Sequence, residues 1–204
     1  MNIQEHWEHI YATRSPDLRS WFSPHLDASL DLIERLPISH NATIIDVGGG
    51  ESTFVDDLLR RGYENLTVLD ISRTAMNSSA KRLGNVARRV RWITADITQV
   101  QLQRAQFDVW HDRAVFHFLT SSHERTAYVQ QVARAVKRGG HVIVGVFGPD
   151  GPTRCSGLDV VRYDAESLRH EFGPQFRPIE SSIQLHRTPA GVIQQFLYCH
   201  LKFE

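Results

Sequence analysis

Apolar and polar positions along this chain fall into two alternating rhythms. Ala42–Val47 (ATIIDV) is a short β-branched run ending at Gly48-Gly49-Gly50, the pattern of a buried parallel strand. Thr53–Arg61 then places Phe54, Val55, Leu58 and Leu59 at helical spacing, and Gly62 stops it. Leu66–Asp70, Val90–Asp96, Phe107–Asp112 and His141–Phe147 predict four further strands. Between them, Ser72 caps a helix running to about Leu83. Ser122–Arg138 predicts the longest helix, with Tyr128, Val132 and Val136 on one face and Gly139-Gly140 as its stop. Two helical pieces precede the first strand, Ile3–Ala12 and Pro24–Leu36, the second striped by Leu26, Leu30 and Ile33. At the tail, Ile179–Arg187 and Val192–Phe203 read as strands joined by the hairpin signal Thr188-Pro189-Ala190-Gly191.

This alternation predicts an α/β fold, a doubly wound, mostly parallel seven-stranded sheet closed by a C-terminal antiparallel hairpin. No repeat, low-complexity tract or linker interrupts it. Residues 1–204 therefore read as one domain, with 1–40 a helical cap and 41–204 the core. Hydrophobic residues make up 41% and charged residues 23%, which excludes wholesale disorder. Lys plus Arg and Asp plus Glu are 23 each, and this balance argues against a nucleic-acid partner. No apolar run suits a membrane span or a secretory leader, so no membrane partner is expected. Two cysteines, Cys155 and Cys199, cannot build a disulfide framework or a zinc cluster; they imply no metal and a reduced, cytoplasmic compartment. Cys199 reads as core, and Cys155 as either a reactive thiol or an inert loop cysteine.

The chemistry concentrates where the first strand meets its helix. Glycines there let the backbone approach a ligand closely. No GxxxxGK[ST] string occurs, which excludes an NTPase loop, and Thr53 leaves GxGxxG half made. Asp46, two residues before the glycines, would repel a pyrophosphate but suits a ligand carrying positive charge. Asp70 ends the second strand, where a carboxylate can accept from both hydroxyls of a ribose. Asp96 ends the third, where a carboxylate can meet an adenine amino group. Ribose, adenine, a cationic amine and no phosphate together describe S-adenosylmethionine. Three plainer readings stand beside these: Asp70 as a helix cap with Ser72, Asp46 satisfied by backbone N–H groups, and Asp96 as a loop acid.

On Asp46-Val47-Gly48-Gly49-Gly50-Glu51-Ser52, with Asp70, Asp96 and the tail hairpin, the chain from about Ala42 to Phe203 resembles the class I S-adenosylmethionine-dependent methyltransferases. Ser52 departs from the glycine that many members carry. The resemblance implies a Rossmann-like sheet and a cofactor site including Asp46, Gly48, Gly49, Gly50, Asp70, Ile71, Asp96, Ile97 and Trp21. Trp7-x-x-x-Tyr11 followed by Ser20-Trp21-Phe22 resembles the N-terminal cap of a branch that includes protein lysine methyltransferases. Asp112-Arg113-Ala114 is similar to that branch's Asp-Lys-Gly string but departs at both later positions, so lysine specificity does not carry over. His111 and Asp112 are the candidate proton acceptors, and Tyr11, Phe22, Arg113 and His117 the candidate acceptor-binding residues. A buried structural role competes for each histidine, and packing competes for Trp7. Segment Trp7–Phe22, with Arg14–Asp17 as a mobile turn, is expected to close over the cofactor; loop Gly148–Leu158 is expected to cover the acceptor. The acceptor class stays open among a small molecule, a metalloid or thiol, and a protein side-chain amine. Two rival functions are an inactive binding module that retains the fold and, less favoured, a NAD-dependent oxidoreductase.

Overall fold

The computed structural model describes residues 2–204. Helix α1 (Ile3–Thr13) starts at a capping box: Asn2 accepts from the Glu5 N–H while Glu5 reaches back to the Asn2 N–H. A 3₁₀ turn (Pro16–Leu18) and α2 (Asp27–Glu34) lead to the sheet. Then β1 (Thr43–Val47), α3 (Phe54–Arg60), β2 (Asn65–Asp70), α4 (Arg73–Leu83) and β3 (Val90–Thr94) alternate. Next come β4 (Phe107–Arg113), α5 (Ser122–Ala135) and β5 (Val136–Phe147). A short ribbon, β6 (Arg154–Cys155) with β7 (Leu158–Asp159), precedes α6 (Ala165–Phe172), β8 (Phe176–Arg187) and β9 (Ile193–Phe203).

The main sheet has seven strands in the order β3-β2-β1-β4-β5-β9-β8. The first five are parallel to one another, and β9 runs antiparallel to both β5 and β8. That is the expected α/β class. Strand alternation decides which layer each side chain joins. Ile45, Val47 and Trp110 join the core beneath α5 and α6, whereas Ile44, Val109 and Ile143 join the core beneath α2 and α3. Between β1 and β4 the strand order reverses, and a crevice opens at the carboxyl ends.

Several expected boundaries move. The longest helix ends at Ala135, not Arg138, because Val136 is extended, buried and paired with Phe107 in the sheet. Lys137 reaches Asp108 at 2.8 Å, so Val136–Gly140 begin β5 rather than finishing a helix. Helix α2 is shorter than Pro24–Leu36, and β3 stops at Thr94, two residues before Asp96. Helix α6 lies in a stretch where no helix was expected. Its signals are ordinary: Asp164 caps the Ser167 N–H at 2.8 Å, Leu168 and Phe172 are buried one turn apart, and Gly173 leaves with φ +77°. The tail hairpin closes as expected: Thr188 N–H donates to the Val192 carbonyl at 2.8 Å, and the Thr188 hydroxyl accepts from the Val192 N–H at 3.0 Å. Cys199 is buried in β9, and among the described residues no helix is long and apolar enough to cross a membrane.

Phe172 packs its ring 5.4 Å from Phe116 and 5.3 Å from Phe176, tying α6 both to the turn after β4 and to β8. Phe172→Ala is expected to lower unfolding stability by about 3–5 kcal/mol in chemical denaturation. A loss below about 1 kcal/mol would mean that α6 is peripheral to the core.

Candidate active site

At the crevice between β1 and β4 lies a cleft of about 380 Å³. The carboxyl ends of β1, β2 and β3 supply one side: Gly48, Asp70, Ile71, Asp96 and Ile97 all line it. Tyr11 and Trp21 of the N-terminal segment and Arg113 of β4 line the other. Eight of the residues singled out in the sequence thus meet in one cavity. Asp46, Gly49, Phe22 and His111 line a smaller cavity of about 50 Å³ behind the glycine turn. Gly50, Asp112 and His117 line neither cavity.

The glycine turn has steric reasons for its composition. Gly48 has φ +70°, and a Cβ there would lie 2.0 Å from the Val115 side chain on the cleft wall. A Cβ at Gly49 would lie 2.6 Å from Asp46 Oδ2, and one at Gly50 2.6 Å from the Tyr11 hydroxyl. Replacing any of the three therefore displaces a cleft-forming side chain as well as intruding on a ligand.

Asp70 is buried, and its Oδ1 accepts from the Ser72 N–H at 2.8 Å while Ser72 caps α4 through the Ala75 N–H at 3.2 Å. Burial first, and the neighbouring Asp46 and Glu8 charges after it, push the Asp70 carboxyl up to about 7. Asp96 accepts from the Thr98 N–H at 2.8 Å and from the Gln99 amide at 3.0 Å, which holds its head group at the cleft wall. Asp70 thus supports the capping residue Ser72 while lining the cleft.

The two candidate proton acceptors are placed differently from expectation. Strand register sets His111 beside Asp46, and parity points both toward the α2–α3 layer. A carboxylate offers only acceptors, so His111 Nδ1–H donates to Asp46 Oδ1 at 2.7 Å; its Nε2 shares a hydrogen with the Ser29 hydroxyl at 2.8 Å. Both ring nitrogens are occupied in a fully buried ring. Asp112 faces the opposite layer and accepts from Tyr128 O–H at 2.5 Å, Val115 N–H at 2.9 Å and Phe116 N–H at 3.1 Å. It shapes the turn that carries Ala114 and Val115, and cannot reach the cleft. His117 is buried too: its Nδ1 accepts from the Phe147 N–H at 3.1 Å, and burial pushes its pKa down to about 3. All three take the structural reading. Ala114, where the resembled string has glycine, adopts φ +71°, a conformation that costs an L-residue about 1–2 kcal/mol.

The N-terminal segment is already pinned. Glu8 accepts from the Ser72 hydroxyl at 3.0 Å and from the Arg73 and Thr74 N–H groups at 2.6 and 3.1 Å, at the start of α4. Burial pushes the Glu8 carboxyl up, but these hydrogen bonds outweigh it and hold it below the ordinary range. Arg19 is buried, pairs with Glu51 of the glycine turn and lies 4.6 Å over the Tyr11 ring. The mobile turn expected at Arg14–Asp17 is therefore followed by a locked residue. Trp7 packs 5.8 Å from Trp21 and 5.1 Å from Phe118, so its packing role and its place on the cleft wall are the same fact. Glu8 and Glu51 were not among the candidates; their partners lie far away in sequence, and no local pattern marks them. Cys155 is buried at the cleft wall, where burial pushes its thiol up from the ordinary range, against the reactive reading.

The family described as "Methyltransferase domain" matches residues 45–144, which hold both cavities' strand ends. Human EEF1A lysine methyltransferase 2 is 22% identical over 198 residues, covering 88% of this chain and 76% of that protein. Among solved structures, one reported for conversion of a disulfide bond into a thioacetal group during echinomycin biosynthesis superposes with TM-score 0.80 at 16% identity, covering 100% of this chain and 92% of that one. The Burkholderia thailandensis 1,6-didemethyltoxoflavin-N1-methyltransferase, with bound 1,6-didemethyltoxoflavin and S-adenosylhomocysteine, gives 0.74 at 19%, covering 98% and 87%. With the glycine turn, the acids at successive strand ends and the family match all in one fold, the chain is a class I S-adenosylmethionine-dependent methyltransferase.

Proposed function

We propose that the cleft binds S-adenosylmethionine along its β1–β3 side and a small-molecule acceptor along its aromatic side. The carrying observation is Asp70, a buried carboxylate facing the cleft beside a turn in which all three glycines leave no room for a Cβ. The remaining fit is specific. Asp46 Oδ2 is buried with no partner, an acceptor suited to the cofactor's ammonium once His111 has oriented the other oxygen. Asp70 suits the ribose hydroxyls, and Ile71, Asp96 and Ile97 flank the place of the adenine. The bound group supplies a methyl on a sulfonium, already activated for in-line displacement. This chain's residues then align the acceptor and exclude water; orientation of this type supplies about 7–11 kcal/mol.

Trp7, Trp21, Phe118, Phe147 and Phe196 enclose the acceptor side, which favours a compact apolar body over an extended polypeptide. A lysine side chain is the second reading, favoured by the likeness to the human lysine methyltransferase. The same proposal treats 1–40 as a helical cap and 41–204 as the core of one methyltransferase domain. It also places the protein in the cytoplasm, in keeping with two buried, unbridged cysteines.

Two measurements test this reading. The raised Asp70 pKa means that the ligand-free fold holds the proton up to about pH 7. Ribose hydroxyls donate to the ionised form, so binding lowers that pKa and releases the proton. Affinity for S-adenosylhomocysteine, followed by calorimetry, is expected to fall as pH drops below about 7, by up to about tenfold per unit. Asp70→Asn is expected to flatten that dependence and weaken binding at pH 8 by about 10- to 100-fold. A pH-independent wild type would remove Asp70 from the ribose.

Tryptic cleavage is expected at exposed Arg14 but not at Arg19, even without cofactor, because Arg19 is 2% exposed. Glu51→Gln should free Arg19 for cutting and weaken cofactor binding. Equal cutting at both arginines in the wild type would show that the segment is not held as described.

A further inference from the structure

Arg113 ends β4 and lines both the main cleft and the small cavity behind the glycine turn. Its Nε–H donates to the Tyr198 hydroxyl at 3.1 Å, its Nη1 donates to the Trp21 carbonyl at 3.0 Å, and its guanidinium lies 4.7 Å over the Phe196 ring. Tyr198 and Phe196 belong to β9, two strands from β4 on the side opposite β1. These partners draw the guanidinium toward β9, whose Phe196 lines the acceptor side of the cleft, while Arg113 also lines the small cavity with Asp46, Gly48 and Gly49. Two of its five N–H donors are used by these bonds, and among the described residues it forms no ion pair. Arg113 is half-buried, and a partly desolvated cation gains from an opposite charge. Here the surroundings are aromatic rings, a phenol and a carbonyl.

Its field reaches its neighbours. Burial, and after it Arg113, lowers the pKa of both His117 and His186. Of the other acids of the cleft wall, Asp159 pairs with Arg154 at 3.0 Å in a solvent-exposed ion pair, and Glu124 closes the capping box of α5. His111, Asp112 and His117, as shown above, have no basic atom facing the cleft. Among the described residues, the acceptor side thus offers a cation without an ion pair and no buried carboxylate of its own.

We infer that the acceptor is a small apolar or aromatic anion, its charge met by Arg113 and its lone pair already free when it binds. This inference rests on the cofactor placement proposed above. The chemistry closes without a base. The acceptor's lone pair forms the new bond to the methyl carbon; the carbon–sulfur bond breaks and its electron pair passes to sulfur. One anion and one sulfonium become two neutral groups, and no proton is released. A lysine ammonium would first have to surrender a proton and would meet Arg113 as a like charge. Thiolate, phenolate and carboxylate share the required property.

The inference is tested on the full chain loaded with S-adenosylhomocysteine, by titrating benzenesulfonate and neutral benzenesulfonamide in parallel. The sulfonate is expected to bind at least about tenfold more tightly. Arg113→Met should abolish that preference and Arg113→Lys restore part of it, while both variants keep S-adenosylhomocysteine affinity within about threefold. In turnover with S-adenosylmethionine, thiophenol, phenol and benzoate separate the three anion types, and a lysine peptide serves as the amine; Arg113→Met should raise KM for the accepted anion more than it lowers kcat. Equal binding of the two probes overturns the inference. So does methylation of the peptide unaffected by Arg113→Met. A loss of S-adenosylhomocysteine affinity in Arg113→Met matching its loss of sulfonate binding would assign Arg113 to the cofactor's own carboxylate instead. If the wild type fails to bind S-adenosylhomocysteine, the cofactor placement itself falls; if it binds and the anion preference is absent, only the anion inference falls.

Discussion

The hydrogen bond from the His111 ring to the Asp46 carboxylate joins the two central strands at the point where the sheet divides. Asp46 belongs to β1 and His111 to β4, and the crevice opens just beyond both. With Ser29 on the far side of the ring, the chain Asp46–His111–Ser29 crosses from the sheet into α2. It satisfies a polar line through an otherwise apolar layer and leaves one Asp46 oxygen unpartnered behind the glycine turn. The tight turn lies against that fixed carboxylate, since a Cβ at Gly49 would come within 2.6 Å of Asp46 Oδ2.

On the other face of β4, Asp112 does comparable work for the turn that follows the strand. Its three hydrogen bonds set the turn carrying Ala114 and Val115, and Val115 closes onto Gly48. Two adjacent residues of β4, His111 and Asp112, thus anchor the walls of the crevice from opposite faces of one sheet. Neither touches the cleft in the manner of a base. A reaction that needs no proton acceptor is consistent with that economy.

The N-terminal segment completes the enclosure by polar anchoring rather than by burial of apolar surface alone. Glu8 on the start of α4 and Arg19 on Glu51 hold it at both ends, with Trp7, Tyr11 and Trp21 packed between. Such a cap presents a preformed wall, and preformed walls lower the ordering cost of binding.

Much of the fold was legible from local rules. Periodicity in Thr43–Val47 and its parallel partners marks buried strands, and the glycine turn with Asp70 and Asp96 marks residues that meet in one cleft, because each signal lies within a few residues of chain. Helix α6 was equally legible in Asp164, Leu168 and Gly173. What only the tertiary structure decided is which partner each buried polar group meets. His111 and Asp112 read alike as strand-end candidates; alternation sends one to Asp46 and Ser29 and the other to Tyr128, residues 16 to 82 positions away. Arg113 meets aromatic rings and a phenol because β9 folds beside β5, a neighbourhood that nothing local to Arg113 in the sequence states. Burial and hydrogen-bond saturation are properties of the assembled sheet, and a sequence states which groups are able to react while packing determines which remain free to do so.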